Sequence, residues 1–113
     1  MKVAIIGSRG LWVDNFEKYL PKGITEIVSG GALGIDTAAK RYALSAGIKI
    51  TEFLPEYDSF GRSAPIRRNI DIINYSDMII AFWDGKSRGT KFVIDNAKKR
   101  NKPIKIFIVK KST

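Results

Sequence analysis

Residues 26–47 read EIVSGGALGIDTAAKRYALSAG, and this stretch decides the fold. Glu26-Ile27-Val28 reads as a short strand, ended by Ser29-Gly30-Gly31-Ala32-Leu33-Gly34. From there Ile35, Ala38, Ala39, Tyr42, Ala43 and Ala46 recur at i, i+3, i+4, i+7, i+8 and i+11, the period of an amphipathic helix, and Gly47 closes it. The many alanines suit a helix packed closely on a sheet. A strand, a glycine-rich turn and a helix in succession make the first half of a parallel crossover.

The same alternation extends in both directions. Upstream, Val3-Ala4-Ile5-Ile6 is a buried-strand run ending in Gly7-Ser8-Arg9-Gly10, and Val13, Phe16 and Leu20 then predict a helix stopped by Pro21-Lys22-Gly23. Downstream, Ile48 to Leu54 predicts a third strand and Pro55 to Arg62 a loop. Ser63 or Ala64 caps a further helix with Pro65 in its first turn, whose inner face is Ile66, Ile70 and Ile73. Met78 to Trp83 is a fourth strand, Thr90 to Arg100 a helix, and Ile104 to Val109 a fifth strand. Strands alternating with helices predict an α/β, doubly wound, three-layer Rossmann-like fold. Right-handed crossovers favour a five-stranded parallel sheet of order 3-2-1-4-5, with the switch point between strands one and four. Residues 1–113 read as one domain.

Composition narrows the chemistry. The chain has 113 residues with no cysteine and no histidine, which removes thiolate chemistry and the commonest metal ligand and general base. No metal site and no cofactor is expected. The longest apolar run, Met78 to Trp83, is far too short to span a bilayer, and the N-terminus lacks a secretory pattern. The expectation is a cytoplasmic protein without a membrane partner. Twenty basic against eleven acidic residues give a net charge of +9, which suits anionic partners as well as a solvated basic surface.

Ligands of open α/β sheets bind beyond the carboxyl ends of the strands. Three polar, glycine-bearing loops fall there: Gly7-Ser8-Arg9-Gly10, Ser29 to Gly34, and Asp84-Gly85-Lys86-Ser87-Arg88-Gly89-Thr90. Glycine admits close backbone approach to an anion, and a helix start supplies free N–H donors. Any one such loop is explained by a tight turn; three at adjoining strand ends point to a phosphate-bearing ligand. Neither standard phosphate motif is present: Ile80 stands where a Walker loop needs glycine, and Ser29 where the dinucleotide fingerprint needs it. Asp36 is a first-turn acid suited to the helix dipole or to orienting a ligand. Arg67 and Arg68 are adjacent on a helix and so point about 100° apart, which lets one of them reach the mouth. Trp83 can stack on a base or cover the core edge.

Together these residues resemble the superfamily that unites the DprA/Smf DNA-processing proteins with the "lonely guy" (LOG) phosphoribohydrolases. The resemblance runs from Met1 to about Ile108, and Ser29-Gly30-Gly31-Ala32-Leu33-Gly34-Ile35-Asp36 is its most specific element, similar to the DprA form. The short length and the Asp84–Thr90 loop look most like its small nucleotide-binding members. The LOG branch implies cleavage of a nucleoside monophosphate, with Arg68 at the position of its arginine. Its glutamate position, however, is Val93, and an apolar side chain can neither move a proton nor stabilise an oxocarbenium centre; Asp36 or Asp84 would have to substitute. The DprA branch implies single-stranded DNA binding, which the charge suits. Homodimers are implied by either branch.

The leading expectation is a sensor or carrier of a nucleotide or phosphorylated ribose. Its candidate residues are Gly7, Ser8, Arg9, Ser29, Gly30, Gly31, Ala32, Asp36, Arg68, Asn69, Trp83, Asp84, Gly85, Ser87, Gly89 and Thr90. In this reading Gly30, Gly31, Gly89 and Thr90 cradle the phosphate and Arg68 neutralises it. Single-stranded nucleic-acid binding is the alternative, and an N-glycoside hydrolase with a non-standard acid the third.

Overall fold

The computed structural model describes residues 1–8, 10–31 and 34–110; Arg9, Ala32 and Leu33 from the predicted loops lie outside the described residues. Its strands are β1 (Lys2–Gly7), β2 (Glu26–Ser29), β3 (Lys49–Glu52), β4 (Met78–Trp83) and β5 (Ile104–Ile108). Its helices are α1 (Ile35–Ala46), α2 (Tyr57–Phe60, one turn), α3 (Ala64–Tyr75) and α4 (Arg88–Lys99). All strand pairs are parallel and the order is β3-β2-β1-β4-β5, as the alternation of elements predicts.

The near-continuous apolar strands follow from burial on both faces. Val3, Ile5, Ile27, Ile80 and Phe82 pack on one face with Ile35, Ala39 and Ala43 of α1. Their sequence neighbours Ala4, Ile6, Val28, Ile79 and Ala81 pack on the other face with Ile72 and Ile73 of α3 and Val93, Ile94 and Ala97 of α4. Register keeps the layers matched, with Ile5 opposite Ile80 and Ala4 opposite both Val28 and Ile79. Each fully buried isoleucine stabilises the fold by about 1.5–3 kcal/mol relative to leaving it exposed. The α1 helix lies tight against β1: a Cβ on Gly7 would come within 2.4 Å of Ile35 Cγ1.

The first crossover departs from expectation. In place of a helix through Val13, Phe16 and Leu20 there is only a single 3-10 turn, Phe16–Lys18. Asn15 precedes it at φ 57°, in the left-handed region, so the helix cannot extend backwards, and Pro21 ends the segment before a helix could repay its nucleation cost. Val13 and Phe16 are buried nonetheless. Aromatic rings fill the space a helix would have taken: Phe16 and Tyr19 meet Phe82 edge-on at 5.7 and 5.3 Å, and Phe82 stacks on Phe107 at 5.6 Å.

Three smaller differences bear on the site. The Pro55–Arg62 stretch is not plain loop, since it holds α2 and the start of a 3-10 turn, Gly61–Ser63, with no buried residue in either. Ser63 stands at the cap position of α3 without making a cap hydrogen bond. Helix α4 starts at Arg88 rather than Thr90, because the Ser87 hydroxyl accepts the Thr90 N–H at 3.5 Å and caps the turn two residues earlier. Among the described residues no helix is long and apolar enough to cross a membrane.

At the opposite end of the sheet, Glu26 is a buried carboxylate. It accepts hydrogen bonds from the hydroxyls of Tyr75 and, at 2.7 Å, Thr51, and Lys49 stands 3.6 Å away. The Tyr75 hydrogen bond is the main cause holding Glu26 below the usual carboxylate range; burial opposes it, and Thr51, Lys49 and Lys2 add to it. The group ties β2, β3 and α3 together.

Candidate functional site

A cavity of about 680 Å³ opens beyond the carboxyl ends of β1 and β4, at the switch point of the sheet. Its size is that of a small-ligand pocket. Ile6 and Gly7 of β1, Gly30 after β2 and Asp36 of α1 form one side. Pro65, Arg68, Asn69 and Ile72 of α3 form a second, and Asp84, Lys86, Ser87, Gly89, Thr90 and Val93 close it from the β4–α4 side. Sequence-distant groups meet here because every βα turn of a parallel sheet emerges at the same edge.

Arg68 is the central cation. Its Nη1 donates to the Gly30 carbonyl at 2.8 Å and its Nε to Asn69 Oδ1 at 2.9 Å. Partial burial draws the guanidinium below the ordinary arginine value, while the nearby negative charge of Asp36, and Tyr57 after it, oppose this; arginine stays charged throughout. Gly30 is glycine for a spatial reason, since a Cβ there would sit 2.6 Å from Arg68 Nη1. Arg67 points away: its guanidinium lies 4.5 Å over the Phe60 ring and its Nε donates to Ser63 Oγ at 3.2 Å.

The β4–α4 loop is fixed by a hydroxyl–carboxylate knot. Asp84 Oδ1 accepts from the N–H groups of Lys86 and Ser87 at 2.9 and 2.8 Å and from Ser8 Oγ at 3.3 Å, and the Asp84 N–H donates back to Ser8 Oγ at 3.2 Å. Ser8 Oγ also lies 3.4 Å from Thr90 Oγ1. With the Thr90 N–H on Ser87 Oγ and the Lys91 N–H on the Ser87 carbonyl, the N–H groups of Arg88 and Gly89 are what the first turn of α4 leaves without a partner among the described residues. A Cβ built on Gly89 meets nothing within 4 Å, so this end of the dipole is open to an anion.

Of the residues expected to meet a ligand, Gly7, Gly30, Asp36, Arg68, Asn69, Asp84, Ser87, Gly89 and Thr90 line the cavity. Five others are placed elsewhere or hold the loops. Ser8, 1% exposed, joins β1 to the Asp84 loop from beneath. Ser29 is buried and accepts from the Gly31 N–H at 3.4 Å. Gly31, at φ 72°, backs onto Leu54 and Glu52, because the turn swings it toward β3. Trp83 packs on the α3/α4 core and donates Nε1–H to the Ser87 carbonyl at 3.0 Å, so it braces the loop. Gly85 supplies the positive φ of 82° that the Asp84 turn requires. Arg9 and Ala32 lie outside the described residues.

The apolar floor, Ile6, Pro65, Ile72 and Val93, is absent from the sequence reading. Val93 alone is placed at the mouth beforehand, through its match to the LOG glutamate position. At the position where the LOG branch has glutamate, Val93 does face the cavity, as an apolar wall.

Fold and cavity together define a doubly wound, Rossmann-like α/β domain with a mixed polar and apolar mouth at its switch point. The chain belongs to the family of DNA recombination-mediator protein A, whose family model matches residues 1–105. No curated protein and no solved structure matches it.

Proposed function

We propose that this domain binds single-stranded DNA across the carboxyl edge of its sheet. The family match carries this reading, because the matched family is one of DNA recombination mediators. The geometry supports it: one phosphate of a strand can lie between the Arg68 guanidinium and the open start of α4, with Lys86 beside it. The net charge of +9 favours the rest of the strand through counterion release.

A sensor or carrier of a mononucleotide is the weaker reading. It makes Gly31 part of the phosphate cradle, and Gly31 backs onto Leu54. Hydrolysis has less support still, since Val93 lines the wall where a glutamate is needed and Asp84 Oδ1 is committed to Ser8, Lys86 and Ser87. Pairing of two copies, implied by the resemblance, belongs to the proposal and is read by sedimentation of the same samples.

Fluorescence anisotropy with labelled oligonucleotides of increasing length and with a labelled mononucleotide tests the reading. Affinity should rise with length and fall steeply with salt, by about 0.7 in log–log slope per phosphate neutralised. Tight mononucleotide binding with a flat salt response, and no gain from length, would refute it.

A further inference from the structure

A second cleft of about 160 Å³ adjoins the main cavity, and Arg68 lines both. Its other walls carry a different chemistry. Phe60 and Leu54 are 41% and 62% exposed, large apolar groups left at the surface beside the mouth. Arg67 lies over the Phe60 ring at 4.5 Å, which holds the ring while much of its surface stays open. Glu52, Glu56 and Asp71 also line the cleft, and Glu52 Oε1 pairs with Lys40 at 3.2 Å. Part of the arginine donor set is taken up by the protein, Arg67 Nε by Ser63 and Arg68 Nη1 and Nε by Gly30 and Asn69. The cleft therefore offers a ligand the open part of a flat ring and carboxylate oxygens, beside the remaining guanidinium N–H groups of Arg67 and Arg68. The carboxylates offset the charge of the two arginines and accept from amino groups.

We propose that this cleft takes one nucleobase of the strand whose phosphate lies at Arg68, and that it prefers a base with an exocyclic amine, cytosine before thymine. The inference rests on the single-strand reading above and deepens it. Stacking on Phe60 supplies sequence-tolerant affinity. The carboxylates supply the choice, since they accept from the cytosine N4 amine but oppose the O4 acceptor that thymine presents there. The shared Arg68 wall fixes the register between phosphate and base.

Two measurements on the full chain test this. Anisotropy with dC and dT nonamers at one salt concentration should give tighter binding of the dC strand by about fivefold or more. Phe60→Ala should weaken the dC strand about tenfold, while Phe60→Trp restores it. The double variant Glu56→Gln, Asp71→Asn should remove the preference without weakening the dT strand. Phe60 is exposed on a one-turn helix with no buried residue, so these variants keep the fold, as circular dichroism would verify. Separately, cytidine, which has no phosphate, should shift the Phe60 ring resonances in NMR titration. Equal or reversed ranking of the strands, with Phe60→Ala unchanged and no cytidine shift, overturns the base cleft; if Arg68→Ala then still weakens both strands, the single-strand reading stands. Cytidine shifts without binding of either oligonucleotide would sink the single-strand reading and keep the cleft. Silence in both measurements overturns both.

Discussion

Alanine at position 30 puts a methyl group where the structure has room only for hydrogen. Its Cβ would lie 2.6 Å from Arg68 Nη1, 3.0 Å from Cζ and 3.4 Å from Cδ. Gly30 is not among the positive-φ glycines, so the backbone accepts alanine without strain and the clash falls on the end of a flexible side chain. Arg68 must therefore swing off the Gly30 carbonyl, losing a charge-assisted hydrogen bond of 2.8 Å. Such a bond contributes at most about 1.5–3 kcal/mol, and less here because a half-buried guanidinium finds water instead. We expect Gly30→Ala to cost about 1 kcal/mol in folding stability. Oligonucleotide affinity should drop about tenfold, the equivalent of about 1.4 kcal/mol, because the cation has left its place at the mouth. Arg68→Ala should lose at least as much affinity and flatten the salt slope by about 0.7. The decisive assay is the double-mutant cycle by anisotropy at fixed salt: in the Arg68→Ala background, Gly30→Ala should have almost no further effect. If the two losses add in full, Gly30 does not act through Arg68, and the account of the mouth is wrong.

Three other outcomes follow from the packing. Gly7→Ala places Cβ 2.4 Å from Ile35 Cγ1 and 2.6 Å from Ile35 Cβ, atoms too near the backbone to move aside, and should destabilise the fold by about 1–3 kcal/mol, seen as a lower urea midpoint at unchanged slope; an unchanged midpoint would refute the close packing of α1 on β1. Ser8→Ala leaves the Asp84 N–H without its hydroxyl partner and should cost about 1–3 kcal/mol and speed amide exchange in the loop from Asp84 to Thr90; unaltered exchange there would contradict the knot. Glu26 has its pKa depressed in the fold, chiefly by the Tyr75 hydroxyl, so the unfolded chain takes up the proton first. Its stabilisation is thus present above the ordinary glutamate value of 4.5 and disappears as pH falls through the lower folded value. Urea unfolding from pH 6 down to 3 should show this loss, and Glu26→Gln should be less stable at pH 6 with a flatter acid limb; an identical pH profile would exclude the group.

Much of the fold was readable because strand and helix patterns are local. Two-sided burial makes β4 an unbroken apolar run from Met78 to Trp83, and those are its limits in the structure. The sheet order followed from connection length and handedness. The missing first helix shows where pattern fails: Val13 and Phe16 are spaced as on a helix and are buried, yet Asn15 adopts a left-handed conformation between them. There periodicity found the buried residues but not the backbone that carries them; in α3 it missed a residue as well, since Ile66, expected on the inner face, is 52% exposed and Ile72 is buried beside Ile73.

The candidate site divides in the same way. Sequence by itself determined that glycine-bearing loops follow β1, β2 and β4 and that each leads onward from a carboxyl strand end, because parallel topology leaves no other edge for them. It also placed an arginine pair at the start of α3. Only the tertiary structure decided that Arg68 and not Arg67 reaches the cavity, that Gly30 faces it while Gly31 turns toward Leu54, and that Ser8 and Trp83 brace the loops. The direction of a side chain leaving a loop depends on the helices packed around it, and those contacts join residues as far apart as Gly30 and Arg68. No local pattern encodes that distance.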